Sequence, residues 1–183
     1  MDPIKILQKY YDKDSAEYQI VLEHSRAVTK KALEIAKHVP ELKPDLQFIK
    51  EAAMLHDIGF IKTRWGLGKE DYILHGILGK EILDKEGLPK HALVSERHIG
   101  VGISKEDIKK QRLTLPKKDM IPQTVEEEII ALADGFFTKS KKNQLSKERT
   151  LEDVRKNLAQ FGAEKVQKFD SWLKKFNYPL TKN

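Results

Sequence analysis

The run His56-Asp57-Ile58-Gly59 sets an imidazole beside a carboxylate, directly behind the apolar stretch Ala52-Ala53-Met54-Leu55. These are two standard ligand types for a catalytic divalent cation. A single His-Asp pair is weak evidence, because short pairs recur by chance. Its weight comes from four further side chains that also fall on apolar helix faces. His24 lies among Ile20, Val21, Ala27 and Val28. Asp134 follows Ile130 and Ala131 by one turn and precedes Phe137. His75 shares a face with Leu78 and Ile82, and His98 follows Val94 by one turn. A carboxylate on such a face is costly to bury unless it is paired or metal-bound. Side chains converging from facing helices are how bundles build metal sites. Taken singly, an inward histidine is more often a satisfied core residue. His38 closes a helix, where the dipole suffices to explain it, and His91 opens one. Neither requires a metal.

The elements that must position these residues all read as helices. Pro3 to Tyr10 forms a short first helix. A long one runs from about Ser15 to His38, with the stripe Ile20, Val21, Ala27, Val28 and Ile35 spaced by threes, fours and sevens. A third begins near Asp45 and carries Leu46, Ile49, Ala52, Ala53 and Leu55 to the His-Asp pair, where Gly59 fits a helix stop. Helices follow from about Asp71 to Glu86 and from Lys90 to Ile99. Ser104 with Asp107, and Thr124 with Glu127, have the spacing of capping boxes. The second opens a helix through Phe137. Thr150 to Phe161 and Ala163 to Phe176 form a final pair broken at Gly162. No segment reads as a strand, so the predicted class is all-α.

The 183 residues suit one domain with a sizeable core. Hydrophobic residues make up 39% and charged residues 34%, which argues for an ordered, highly charged globule rather than a disordered chain. The absence of cysteine excludes disulfides, zinc fingers and thiol nucleophiles. The net charge of +6 favours phosphorylated partners: nucleotides, nucleic acid or anionic lipid. The N-terminus has no signal-peptide core, and no stretch approaches the roughly 18 apolar residues of a membrane span. A cytoplasmic location is expected. The basic runs Lys109-Lys110, Lys117-Lys118 and Lys139 to Arg149 lack interleaved aromatics, which disfavours a nucleic-acid interface.

The order His24, His56-Asp57, Asp134 resembles the HD-domain superfamily of metal-dependent phosphohydrolases, and Ile58-Gly59 completes its HDIG variant. The resemblance covers about Val21 to Phe137. The segments His98 to Asp107 and Met120 to Glu128 resemble a small HDIG subfamily. The resemblance implies a compact HD helical bundle over residues 1–138, with its core at about 20–138. Residues 139–183 would then be a basic linker and a helical extension packed on the same domain. It implies a first metal on His24, His56, Asp57 and Asp134. His75 and His98 fit the positions that hold a second metal in two-metal members, with Asp57 bridging. Iron, manganese, nickel or zinc suits such a mixed ligand set better than magnesium does.

The implied activity is hydrolysis of a phosphoester or phosphoanhydride of a nucleotide or related small phosphorylated molecule, by a metal-activated hydroxide. Asp57, as the bridge, belongs to the catalytic set. Positive charge near the leaving group would come from Arg97, Lys62 or Arg64, with Arg26 and Lys80 as weaker candidates. Trp65 could stack on a base. Dinucleoside polyphosphates, nucleoside monophosphates and cyclic dinucleotides all stay open as substrates. The Gly-Tyr-Pro extension of cyclic-di-GMP phosphodiesterases is absent, which disfavours that substrate. The competing reading is a non-enzymatic, metal-containing module that senses a nucleotide. A homo-oligomer stays open. The final helical pair carries the stripe Leu151, Val154, Leu158, Phe161, Val166, Phe169, Trp172, Leu173 and Phe176. It is expected to pack on the bundle, with a dimer contact or a substrate lid as alternatives.

Overall fold

Capping side chains fix where most helices begin. Asp2, Ser15, Asp45, Thr124 and Thr150 each accept a hydrogen bond from a backbone N–H in the first turn that follows. The computed structural model describes residues 1–63, 72–138 and 145–179. Its helices are α1 (Pro3–Tyr10), α2 (Ala16–Lys37), α3 (Leu46–Leu55), α4 (His75–Lys85), α5 (Pro89–Arg97), α6 (Lys105–Lys110), α7 (Val125–Asp134), α8 (Leu151–Ala159) and α9 (Ala163–Lys175). Short 3-10 turns occupy Pro40–Leu42 and Ile58–Lys62. Extended pairing among the described residues is one isolated bridge between Ile103 and Met120. The architecture is all-α, as the periodicity predicts. No helix among the described residues is long and apolar enough to cross a membrane.

Two expectations about local structure are modified. Ser104 and Asp107 make both halves of a capping box, but Thr124 and Glu127 make only one. Thr124 accepts from Glu127 N, while the Glu127 carboxylate accepts from Gln123 N and from the Arg97 guanidinium. The backbone N–H that Glu127 takes is thus that of Gln123, one residue before the cap, while both its oxygens also meet Arg97 of α5. Gly59 is not a helix stop. Helix α3 ends at Leu55, and Gly59 lies within the next 3-10 turn and outside the positive-φ residues. It is glycine because the chain passes too close to α4 for a side chain. A Cβ there would fall inside contact distance of the His75 carbonyl oxygen and the Gly79 backbone.

Helix α2 packs against α3 and α7, while α4 packs against α5 and the Ile58–Lys62 turn. One apolar core joins Val28, Ile35, Ile49, Ile130 and Phe136 to Phe169, Trp172 and Phe176 of the C-terminal pair. Full burial of such large side chains stabilises the fold by about 1.5–3 kcal/mol each. The second core gathers Leu7, Val21, Leu55, Ile58, Ile82 and Leu83. Helix α9 is also tied down by charge. Lys168 and Lys175 reach Glu128 of α7, and Lys165 reaches Asp107 of α6. The His-Asp pair sits where α3 runs out between the two cores.

Candidate metal centre

Three elements bring their C-terminal ends to one point. His56 caps α3, His98 caps α5, and Asp134 is the last residue of α7. The partial negative charge at helix C-termini favours a cation there. His75 opens α4, and His24 projects from the middle of α2. Asp57 has φ −100° and ψ 8°, the bridge region common at active sites, as the chain leaves α3 for the 3-10 turn. His24, His56 and Asp57 are fully buried, and His75 and His98 are 1% exposed. The Asp134 side chain retains 16% exposure.

The six side chains form two groups that share Asp57. In the first, one ligand atom each from His24, His56, Asp57 and Asp134 lie within 4.8 Å of one another. In the second, atoms of Asp57, His75 and His98 do the same. The two carboxylate oxygens of Asp57 divide the work. Oδ2 lies 3.3 Å from both His24 Nε2 and His56 Nε2. Oδ1 lies 3.3 Å from His75 Nε2 and 3.4 Å from His98 Nε2. Asp134 Oδ1 completes the first group, 2.9 Å from His24 Nε2 and 3.5 Å from His56 Nε2.

The rings are oriented from behind. His56, His75 and His98 each turn Nδ1 to the main-chain carbonyl three residues earlier, those of Ala53, Tyr72 and Ser95. A carbonyl partner fixes the proton on Nδ1 and leaves the Nε2 lone pair facing inward, as in metal-binding histidines. Phe60 stacks on His75 with ring centroids 4.1 Å apart. Ser95 Oγ donates to His56 O at 2.8 Å, locking the end of α3 to α5.

Electrostatics separate the two groups. Burial pushes the His56 imidazole down, but the charge of Asp57 and hydrogen bonding to Asp134 outweigh it, and its pKa stands at about 9. Burial wins at His98, where the charge of the His56 imidazole adds to it, and the pKa falls to about 4 despite Asp57. The carboxylates thus draw positive charge into the cluster, which divalent cations would supply by displacing protons. Inward lone pairs, shared carboxylate oxygens and helix C-termini fit such cations.

Among the predicted cationic helpers, Arg97, Lys62 and Lys80 are each engaged by a carboxylate. Arg97 Nη1 lies 3.1 Å from both carboxylate oxygens of Glu127, so its charge is engaged between α5 and α7. Lys62 lies at the surface, 3.4 Å from Glu81, and Lys80 pairs with Asp84. Arg64 and Trp65 fall outside the described residues. A cavity of about 550 Å³ opens beside His75, His98 and Asp134. Its charged lining is Asp107, Arg112, Asp134, Arg149 and Lys165. Sequence reasoning did not select Arg112, Arg149 or Lys165 for the site. Arg149 was legible only as the end of a basic linker, and it is folded back so that its side chain donates to Gly135 O beside Asp134.

The HD domain family matches residues 21–138, and the chain belongs to that family. It is 38% identical to an uncharacterized protein of Methanocaldococcus jannaschii over 128 residues, covering 68% of this chain and 70% of that protein. It is also 30% identical over 171 residues to a tRNA (cytidine(56)-2'-O)-methyltransferase of Thermoplasma volcanium, covering 93% of this chain but 45% of the methyltransferase. A methyltransferase of the same name from Picrophilus torridus is 37% identical over 120 residues, which cover 32% of its length. The chain therefore spans less than half of either methyltransferase. The HD domain of the L. monocytogenes phosphodiesterase PgpH superposes with a TM-score of 0.54 at 16% identity, covering 96% of this chain and 97% of that one. That likeness is one of fold.

Proposed function

We propose that the protein hydrolyses a phosphoester or phosphoanhydride of a nucleotide or related small phosphorylated molecule, with bound divalent metal. The observation that carries this reading is Asp57, whose two oxygens face two separate histidine groups. His24, His56, Asp57 and Asp134 would hold one ion, and Asp57, His75 and His98 a second. Iron, manganese, nickel or zinc suits these nitrogen and oxygen donors. Such ions, when bound, lower the pKa of water to near neutral and neutralise charge on phosphoryl oxygens.

The chain's own residues set the geometry. The carbonyls of Ala53, Tyr72 and Ser95 hold three imidazoles with their Nε2 atoms inward. Asp57 has both oxygens engaged and is unsuited to act as a free general base. The cavity admits substrate from the Asp134 side, where some exposure remains. The test is elemental analysis of protein purified without chelator or affinity-column metal, followed by a phosphoester screen. Two transition metals per chain with turnover lost in Asp57→Ala is the expected result. A metal-free protein that takes up none on titration overturns the reading.

A second reading draws on the methyltransferase relatives, which are named for methyl transfer rather than hydrolysis. In it the protein is a non-enzymatic module that binds a nucleotide or RNA phosphate. Stabilisation by a nucleotide without turnover, in fully metal-loaded protein, would favour it.

A further inference from the structure

Hydrolysis at phosphorus builds negative charge on the phosphoryl oxygens, and a cation fixed beside them lowers the barrier. Three basic residues line the cavity that His75, His98 and Asp134 open into: Arg112, Arg149 and Lys165. Lys165 is neutralised by Asp107. Arg112 is exposed just past α6, where water and salt screen its charge. Arg149 differs from both. It is half-buried, and among the described residues no carboxylate lies within ion-pair distance of its guanidinium. Its Nη2 donates to the carbonyl of Gly135, the residue after Asp134, while its Nη1 is neither hydrogen-bonded nor sealed from solvent. A half-buried charge without a counter-ion is unfavourable, and an anion entering the cavity would supply one.

The segment that carries Arg149 is pinned to the bundle at both ends. Leu145 is buried, and Ser146 Oγ donates to the Glu23 carboxylate of α2 at 3.0 Å. Glu148 Oε1 lies 2.6 Å from Lys31 Nζ of α2 and accepts from the Tyr178 hydroxyl at 3.1 Å. Lys31 is itself buried, its Nζ 5.1 Å and 4.9 Å from the ring centroids of Phe136 and Tyr178. The Arg149 backbone N–H donates to Phe136 O at 2.8 Å. A cation held in place before the reaction needs no reorganisation during it.

We propose that Arg149 is a catalytic residue, the fixed cation that binds the non-bridging oxygens of the phosphoryl group as it is transferred. This rests on the phosphohydrolase reading, and it places part of the machinery beyond residue 138, where the match to the HD domain family ends. In the step, a water oxygen bonds to phosphorus, the bond from phosphorus to the leaving oxygen breaks, and a water proton ends on that oxygen. Arg149 gives up no proton, because a guanidinium stays charged. It donates hydrogen bonds to oxygens whose charge grows in the transition state.

The test uses the full chain, loaded with metal as purified. Turnover is read on p-nitrophenyl phosphate and bis(p-nitrophenyl) phosphate, and binding of inorganic phosphate by calorimetry. Arg149→Ala should lower kcat by about a hundredfold at unchanged metal content, and weaken phosphate by about tenfold. Guanidinium chloride at a non-denaturing concentration should restore part of the lost turnover, while sodium chloride at equal ionic strength restores none. Arg149→Gln keeps a donor for Gly135 O and loses the charge, so it carries the test where Arg149→Ala fails to fold, and it should show the same losses. Parent-like turnover and phosphate affinity in both variants would overturn the role of Arg149 and leave the phosphohydrolase reading standing. So would a loss of turnover that follows metal content, or one that sodium chloride restores equally well. A parent protein that hydrolyses no phosphoester, yet binds phosphate through Arg149, would instead remove the phosphohydrolase reading and the catalytic role with it, leaving an anion site.

Discussion

The Nε2 atoms of His75 and His98 lie 3.0 Å apart, while each Nδ1 faces a main-chain carbonyl, of Tyr72 and Ser95 respectively. With both protons held at Nδ1, two lone pairs oppose each other, and neither ring can donate to the other. A cation between them removes that repulsion. Metal at a hundredfold excess over its dissociation constant should therefore stabilise the fold by about 2.7 kcal/mol, raising Tm by about 5–10 °C. Differential scanning calorimetry with and without metal checks this. His75→Ala should lower the content from two ions per chain to one, and unchanged stoichiometry would count against the second group.

Gly59→Ala should be among the most damaging single changes. The added methyl meets the His75 carbonyl oxygen and the Gly79 backbone, which are fixed helix atoms rather than a yielding side chain. Overpacking of this kind costs about 1–3 kcal/mol and more when backbone must move. Urea denaturation should show the loss, accompanied by weaker metal binding because α4 carries His75. A variant as stable as the parent would refute the packing account of the HDIG glycine.

Arg97 offers a direct contest between a catalytic and a structural role. Its guanidinium meets both oxygens of Glu127, whose side chain is 5% exposed. Breaking such a buried pair costs about 3–5 kcal/mol. Arg97→Gln should lose stability on that order, and in a double-mutant cycle the further change Glu127→Gln should add little. The folded fraction of Arg97→Gln should keep its kcat on any phosphoester substrate found. A selective fall in kcat at full stability would return Arg97 to the catalytic set.

Acid should loosen α9 from α6. Burial pushes Asp107 up, but the Lys165 ammonium and the Ser104 hydroxyl and N–H outweigh it, so its carboxyl titrates below the usual 3.8. A depressed carboxyl stabilises the fold above its unfolded pKa, and that contribution disappears as pH falls through the folded value. The Tm gap between the parent and Asp107→Asn should therefore be widest near pH 6 and shrink progressively as pH falls below the ordinary carboxylate range. A gap independent of pH would mean that the charge of Asp107 does not hold the helix.

The sequence by itself determined the helices and the identity of the six cluster residues, because both follow from local rules. Apolar spacing near 3.6 residues marks an inward helix face, and His24 and Asp134 stand out as polar residues on such faces. Ser15, Asp45 and Thr150 announce helix starts for the same local reason. Only the tertiary structure decided which oxygen of Asp57 faces which histidines, since that depends on how α2, α4, α5 and α7 cross. It also decided that Gly59 serves close packing rather than chain reversal, because one residue type satisfies either demand. Arg97 beside His98 and Arg149 at the end of a basic run read alike as surface charge. Folding engages the first with Glu127 and brings the second, fifteen positions beyond Asp134, back against Gly135. Contacts of that range depend on the packing of whole helices, and no local spacing encodes them.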